Sequence, residues 1–458
     1  MAQTRVMAFE LNKENIDRVK EAINNGNDRF LEEYFHDAHP ADVAEFMEFL
    51  SIKECQYLLK TFDEEIHAEI LVELDEDFRT EILETFTSRE IAEVIDNVDT
   101  DDAADVLAML SDSKKEEVIS LLEDADQASD IVDLLNYPEG TAGSLMAKEL
   151  IQVNVNWPVT VAIREMRKQA EDINEVYTIY VVDDQQRLMG TLSLKKLLFS
   201  TSLRSSIQDI YYNKQVRFAY GNQHVEEVVE LMKKYDLVVL PVVDDQNRLI
   251  GRITIDDAMD VMQEYSDRDY QLAAGISGSV ESSDGVFVLS RARLPWLLIG
   301  LVGGVLSAQV IGLYEHELQI NPQLAFFMPL IAAMGGNAGV QSSAIVVQGL
   351  ASNTVSLEGI VPRLFKELLV ALLNAAICGS VILLYNFLAA NNWQLGLTVS
   401  ISLISVLIFA SLFGTFIPLL LDRFKVDPAL ATGPFITTTN DILGLTIYFT
   451  VGHLMYGF

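Results

Sequence analysis

A single carboxylate stands well inside a long apolar stretch near the carboxyl end of the chain. Asp441 lies in Ala431-Thr-Gly433-Pro434-Phe-Ile-Thr437-Thr438-Thr439-Asn440-Asp441-Ile-Leu-Gly444. An ionised side chain at bilayer depth costs at least ~2.5 kcal/mol, so its default reading is functional. No Lys or Arg stands at comparable depth to pair with it, which leaves a cation ligand or a proton-relay carboxylate. One hard oxygen among hydroxyls and amides suits a hard cation. Mg2+ sheds its water reluctantly and is commonly held through one or two carboxylates and its own hydration shell. Softer metals would want thiolate or imidazole, and the two such residues at this depth, Cys378 and His453, are far apart in sequence. A second polar group at similar depth is Gly335-Gly336-Asn337-Ala-Gly339-Val-Gln341-Ser342. Asn337 and Gln341 fall one helical turn apart, and paired glycines invite a locally unwound helix with free carbonyls, tolerable only along a water-filled path. Small-residue packing is the competing account of the glycines. Gly335, Gly336, Asn337, Gln341, Gly433, Thr437 and Thr438 are therefore candidate pore-lining residues, with Asp441 as the ion ligand.

A different set of carboxylates crowds the other end. The 458 residues carry 32 Lys+Arg against 67 Asp+Glu, a formal net charge of -35, while half the composition is hydrophobic. Residues 1–150 hold 12 basic and 39 acidic side chains, and residues 291–458 only 6 and 7. This excludes a basic groove for nucleic acid. Residues 1–136 read as short helices: Ala41–Phe49, Ile66–Leu74, Arg79–Phe86, Arg89–Val98, Asp101–Met109 and Lys114–Leu122. Similar adjacent pieces predict a solenoid-like stack. Acidic clusters recur at Asp75-Glu76-Asp77, Asp99-Thr-Asp101-Asp102 with Asp105, and Glu123-Asp124-Ala-Asp126, without an EF-hand loop. His36 and His39 have metal-ligand spacing, with a helix cap before Pro40 as the bland alternative. So acidic a segment repels itself unless cations neutralise it. Abundant Mg2+ would bridge it into a compact form, and scarcity would open it; about 5.5 kcal/mol, shared over several ions, suffices for such a switch. Acidity for solubility alone is the alternative.

Between the two lies a tandem repeat. Tyr177-Thr-Ile-Tyr-Val-Val-Asp-Asp-Gln-Gln-Arg-Leu-Met-Gly190-Thr-Leu-Ser193-Leu-Lys-Lys196 returns as Leu237-Val-Val-Leu-Pro-Val-Val-Asp-Asp-Gln-Asn-Arg-Leu-Ile-Gly251-Arg-Ile-Thr254-Ile-Asp-Asp257. Each copy predicts a β-branched strand, an Asp-rich turn, a second strand and a helix, with an amphipathic helix upstream. The pair resembles two CBS domains. That resemblance implies an adenosine-binding clamp of hydroxyl and carboxylate, matched by Thr254 and Asp257 in the second copy; the first copy has Lys196 at the acid position. ATP is thus one ligand the pair could take, and a nucleotide-free pair that only transmits force is the other reading. After the second copy, Asp256, Asp260 and Glu264 fall at one-turn spacing on a helix running towards the apolar region.

The elements that must position Asp441 are membrane spans. Five apolar stretches of about the 20 residues a bilayer requires are read at 294–314, 323–350, 365–389, 397–421 and 431–457. Arg291, Arg293, Arg363, Lys366, Arg423 and Lys425 all flank alternate connections. The positive-inside rule then puts the amino-terminal half in the cytoplasm and the carboxyl terminus outside. The first residues have no apolar leader, and Cys55 and Cys378, the only cysteines, exclude a disulfide framework. No nucleophile-base pair or phosphate-binding loop appears, so no enzyme is expected.

The order of segments, together with Tyr137-Pro-Glu-Gly-Thr141-Ala142-Gly143-Ser-Leu-Met146, the Gly335 to Ser342 motif, and Asp427-Pro428-Ala-Leu-Ala with Asp441, resembles the MgtE family of magnesium channels and transporters. The resemblance covers nearly the whole chain. It implies an all-α superhelical N-domain (1–136), α/β CBS domains (137–200 and 201–262), a connecting plug helix and linker (256–290) and a five-helix all-α transmembrane domain (291–458). It implies a Mg2+-conducting homodimer in lipid of the bacterial inner membrane, with Asp441 and Asp427 in the ion path. It implies sensing carboxylates at Asp101, Asp102, Asp105, Glu226, Asp236, Asp257, Asp260 and Asp269, with Asp256 beside them. Gly433 stands where some members have Asn, and Tyr265 and Arg268 replace linker-helix acids. A membrane-anchored nucleotide sensor without transport is the alternative function.

Overall fold

A computed structural model describes all residues except 1–10, 171–172, 174–175, 200–205, 215, 279, 281–283, 352–358, 390–391, 432 and 458. The first ten, on which the absence of a leader was argued, lie outside the described residues. The chain forms two compact units, Met1–Met262 and Gln263–Phe458.

The first unit begins with ten helices: α1 (Lys13–Asn25), α2 (Asp28–Phe35), α3 (Pro40–Met47), α4 (Ile52–Leu59), α5 (Glu64–Val72), α6 (Glu76–Glu84), α7 (Ser88–Ile95), α8 (Thr100–Ala108), α9 (Asp112–Ile119) and α10 (Ala125–Leu134). Most are only two turns long and would not persist alone. They are held by packing on their second neighbours, α3 on α5, α5 on α7, α7 on α9, α4 on α6 and α8 on α10, which is the solenoid pattern the repeats predict. The buried face is aliphatic and continuous, including Leu58, Leu59, Ile70, Leu71, Ile82 and Leu83. Every sequence-predicted helix is present, beginning one to three residues earlier than its apolar periodicity, because the helix start is set by the cap. Asp63, Asp75, Thr87 and Asp124 accept hydrogen bonds from first-turn amides, and all ten helices carry an acid in the first turn, where the helix dipole favours it. Part of the acidity is thus helix-starting chemistry. The opposite ends share a device as well. Arg79 donates to Leu74 O (2.8 Å), Lys114 to Leu83 O and Phe86 O (both 2.9 Å), and Gln127 to Ile95 O (3.1 Å) and Val98 O (3.2 Å). Each long side chain satisfies the terminal carbonyls of an earlier helix.

The repeat follows as β1 (Ile151–Asn154), α11 (Val159–Gln169), β2 (Ile179–Val182), β3 (Leu188–Leu192), α12 (Leu194–Leu198), α13 (Ile207–Ile210), β4 (Ala219–Tyr220), α14 (Val225–Tyr235), β5 (Val239–Val243) and β6 (Leu249–Thr254). Each copy is a three-stranded sheet, one parallel and one antiparallel pairing, ordered β1-β2-β3 and β4-β5-β6. The Asp-rich turns are superimposable in chemistry. Asp183 accepts from the Gln185 and Arg187 amides, Asp244 from those of Gln246 and Arg248, with Gln186 and Asn247 at φ 63 and 60. The two turns pair with each other through Leu188 N to Asn247 O (2.9 Å) and Leu249 N to Gln186 O (3.0 Å). The copies also exchange their leading segments: Ala147 pairs with Arg252 of the second sheet, and Tyr212 with Thr191 of the first. This crossing explains the repeated glycine. A Cβ on Gly190 would lie 2.3 Å from Tyr212 O, and one on Gly251 2.9 Å from Ala147 O.

Helix α15 (Ile255–Ala273) crosses the unit boundary. The second unit then contains α16 (Val286–Leu313), α17 (Glu315–Ile320), a 3-10 turn Pro322–Phe327, α18 (Met328–Ala351), α19 (Ile360–Ala389), α20 (Trp393–Arg423), a 3-10 turn Pro428–Ala431 and α21 (Gly433–Tyr456). Helix α20 is central, packing on α18, α19 and α21, while α16 packs on α21. Two expectations change. Among the described residues four helical stretches, Val286–Leu313, Pro322–Leu350, Ile360–Leu388 and Trp393–Arg423, are long and apolar enough to cross a membrane, not five; α21 is long enough, but its run Thr437 to Asp441 dilutes the hydropathy. Helix α18 also runs unbroken through Gly335 and Gly336. The glycines there serve close packing: a Cβ on Gly335 would lie 2.9 Å from Val406.

Candidate cation sites

Asp441 occupies the middle of α21, facing α18. A Cβ on Gly336 would stand 3.1 Å from Thr437 Cγ2 and 3.9 Å from Asp441 Oδ1, so the absence of a side chain at 336 is what leaves room beside the carboxylate. The preceding residue fastens the two helices: Asn440, buried, donates from Nδ2 to Gly335 O at 3.3 Å, and its Oδ1 has no partner among the described residues. Thr437 donates to Gly433 O (2.8 Å) within its own helix. Thr438 turns the other way, onto α16, where a Cβ on Gly303 would overlap it at 1.8 Å. At the start of the helix Gly433 takes φ +49 under Ala273 O, which a Cβ would meet at 2.5 Å, so the position excludes side chains for backbone reasons. Asp427 Oδ1 accepts from Ala429 N (2.8 Å), starting the 3-10 turn, and Arg268 Nη2 approaches Oδ2 at 4.0 Å.

Asn337 and Gln341 are not beside Asp441. They project to the opposite flank of α18, into a cavity of about 540 Å3 shared with Arg363, Glu367 and Asn374. A helix rotates about 100° per residue, so Gly336 and Asn337 cannot serve the same surface; their adjacency in sequence concealed this.

In the first unit the start of α8 meets the chain entering β1. Thr100 donates from N (3.1 Å) and Oγ1 (3.0 Å) to the Glu149 carboxylate, and accepts from Lys148 N (2.9 Å). Carboxylate oxygens of Asp99, Asp101 and Glu149 all lie within 4.8 Å of one another. Asp99 also faces the buried Arg252 guanidinium at 3.7 Å. Burial, then Asp257, then further acids hold Asp101 well above the carboxylate range. The same causes push Asp102 up to about 7. Burial pushes Asp105 up to about 6 against the opposing Arg79, and Asp257 up to about 6 although Thr254 hydrogen bonds favour its charged form. Acids crowded in this way favour protons or a multivalent cation. The sequence-derived set therefore converges for Asp101, Asp102, Asp105 and Asp257. It does not for Glu226 and Asp236, exposed at the two ends of α14. Asp256, Asp260 and Asp269 are exposed along α15; burial and Asp256 raise Asp260. Glu149 was not legible as a member, because nothing local in sequence brings it to α8. Thr254 donates both its hydroxyl and its backbone N–H (3.2 Å) to the Asp257 carboxylate at the start of α15, so these two residues engage each other. His39 caps α3 through Nδ1, accepting from Ala41 N at 3.3 Å.

The family model described as MgtE, divalent cation transporter, matches residues 328–451, and that of the MgtE intracellular N domain residues 38–140. CBS domain models match 142–201 and 207–264. The magnesium transporter MgtE of Bacillus subtilis is 34% identical over 327 residues, 71% of this chain and 72% of that protein. The chain belongs to the MgtE family. The magnesium transporter MgtE of Thermus thermophilus is also 34% identical, over 329 residues, 71% of this chain and 72% of that protein. The cytosolic domain of the Mg2+ channel MgtE, solved in complex with ATP, matches with 32% identity and TM-score 0.50, covering 54% of this chain and 99% of that one. Members of this family are named as transporters rather than enzymes, and with its apolar helices this MgtE chain is a multi-pass membrane protein.

Proposed function

We propose that the chain carries Mg2+ inward across the bacterial inner membrane as a homodimer, with α21 as a fifth span and one Asp441 from each protomer facing a hydrated ion. The observation that carries this reading is the Asp441 carboxylate, which has no ion-pair partner among the described residues, beside the side-chain-free surface of Gly336, in a segment matched by the divalent cation transporter model. Gly335, Gly336 and Thr437 form the adjoining wall, Thr438 and Gly433 fix the helix, and Asp427 stands at the cytoplasmic mouth. Asn337 and Gln341 serve a separate cavity. The amino-terminal half is cytoplasmic and the carboxyl terminus outside.

Transport is regulated through the acidic cluster and α15 as a plug helix. Asp101, Asp102, Asp105 and Asp257, with Glu149, hold internal Mg2+ between the N-domain and the repeat; when the ion is scarce their mutual repulsion loosens that contact. Glu226, Asp236, Asp256, Asp260 and Asp269 contribute more peripheral, solvated sites. An adenosine nucleotide such as ATP at Thr254 and Asp257 is supported by the ATP complex of the related cytosolic domain, and its phosphates would require cations near the same Asp257. The deciding test is Mg2+ flux into proteoliposomes: Asp441→Asn should abolish it, and an Asp441→Asn protein that still conducts would overturn the pore assignment. A panel of divalent cations in the same assay fixes the selectivity.

A further inference from the structure

Helices α18 and α19 each pack against α20 but hardly touch one another, and the cleft left between them is the cavity of about 540 Å3. Charged and amide side chains are spread along its length. Arg363, Lys366 and Glu367 line the end nearest the start of α19, and the buried Ser342 donates to Glu367 at 2.7 Å, which sets the level of the two helices. Asn374 lies about 12 Å further along α19 than Lys366, close to the level of Asn337, with Val370 between. From Arg363 the Asn374 amide stands about 16 Å in, half of the ~30 Å of a bilayer core. The side chains of Asn337, Gln341, Asn374, Arg363 and Lys366 have no hydrogen-bond or ion-pair partner among the described residues. Asp441 does not share this cleft, because it meets the opposite flank of α18.

Bare amides at that depth require polar partners, because hydrocarbon offers none and each unsatisfied group is costly. An acyl chain lying in the cleft would leave Asn337 and Asn374 unsatisfied. A second copy of the chain, related by a two-fold axis along the bilayer normal, would bring its own Arg363 and Lys366 to the same level and add like charge. Water satisfies the three amides and both cations. The lining also has a sign: two cations stand against one carboxylate, Glu367, which the Ser342 hydroxyl already engages. Between low-dielectric walls a net positive lining concentrates anions and repels cations. We propose that the α18/α19 cleft is a water-filled crevice, entered at Arg363 and Lys366 and reaching past Asn337 and Asn374, that takes up small inorganic anions and turns cations away. The inference rests on the membrane reading of these helices and not on the identity of the transported ion.

The chain carries its own reporter. Cys378 lines the inner end of the cleft and is half-buried, whereas Cys55 is fully buried, its thiol pushed up to about 12 by burial, and is inert to mild thiol reagents. The full chain in phosphatidylcholine nanodiscs is treated with two charged reagents that stay in water, anionic sulfonatoethyl methanethiosulfonate and cationic trimethylammonioethyl methanethiosulfonate. Each rate is divided by that of the same reagent with free mercaptoethanol. Both reagents should modify Cys378, the anionic one at least about 10-fold faster after this correction, the scale on which a charged cleft concentrates its counter-ion. The variant Val370→Cys, Cys378→Ser, with its thiol nearer the cations, should show the same preference. Arg363→Gln, Lys366→Gln should erase the preference, and the charge-conserving Arg363→Lys, Lys366→Arg should retain it. A cleft in which neither thiol reacts is filled by lipid or by a second copy, and overturns the proposal. So does equal reaction with the two reagents, or a preference that survives the Gln pair. Mg2+ flux measured on the same variants in proteoliposomes tests the transport reading separately.

Discussion

Replacing Asp257 by Asn should stabilise the Mg2+-free first unit, although Asp257 makes two contacts with Thr254. The carboxyl is held near 6 instead of its ordinary 3.8, so its charged form costs up to about 3 kcal/mol in the folded unit at neutral pH. The sign follows from the direction. A raised acid contributes its full stability below 3.8 and loses it as pH rises through about 6, so the Mg2+-free unit weakens between pH 4 and pH 7. Asparagine keeps an oxygen to accept from Thr254 and removes the charge. Hydrogen exchange of the full chain, followed on peptides spanning residues 98–110 and 250–262 and corrected for intrinsic rates, reads the local opening. At pH 8 without Mg2+, Asp257→Asn should be protected up to roughly a hundredfold better than the wild type, which is 3 kcal/mol. Added Mg2+ should protect the wild type and do little for the variant. The reasoning fails if wild-type opening is the same at pH 5 and pH 8 without Mg2+, or if the variant opens as readily as the wild type.

Protease cleavage of the first unit should slow as Mg2+ rises through the millimolar range, and equal digestion with and without the ion would count against an ion-bridged form. Gly303→Val should lower the thermal midpoint of the detergent-solubilised protein through its overlap with Thr438, a cost of about 1–3 kcal/mol for overpacking. Tyr448→Phe removes the buried bond from Tyr448 Oη to Leu324 O (2.8 Å) and should cost about 1 kcal/mol in the same assay. Because protons compete with cations for Asp102 and Asp257, pushed up to about 7 and about 6, the Mg2+ concentration needed for protease protection should rise as pH falls below 7.

Much of this was legible in the chain because the relevant signals are periodic. The two CBS-like copies announce themselves through Gly190 and Gly251, and the solenoid through short amphipathic helices behind acidic caps. Asp441 is conspicuous for standing alone in an apolar run. What escaped was set by facing rather than by sequence distance. Asn337 looks like a neighbour of Gly336 but points into another cavity. Asp101 and Asp257 are 156 positions apart, and only the resemblance puts them in one set; in the fold Asp257 raises Asp101. Glu149 joined the cluster through Thr100, and Asn440, not among the candidates, holds α21 to α18. The unwinding expected at Gly335 and Gly336 failed because close packing alone satisfies both residues.

The exchange of leading segments between the two repeat copies bears on how the chain is made. Ala147 is synthesised about a hundred residues before its partner Arg252. At ordinary elongation rates that is roughly 5–20 s during which the segment has no sheet to join. The first copy, by contrast, is completed by Tyr212, which follows Thr191 closely. The first sheet can therefore close on the ribosome while the strand that precedes it waits, and the N-domain helices just ahead of that strand acquire their final neighbour only after the whole pair has emerged. Truncating the chain between the copies would remove a sheet partner from both, so neither copy is a self-sufficient folding unit.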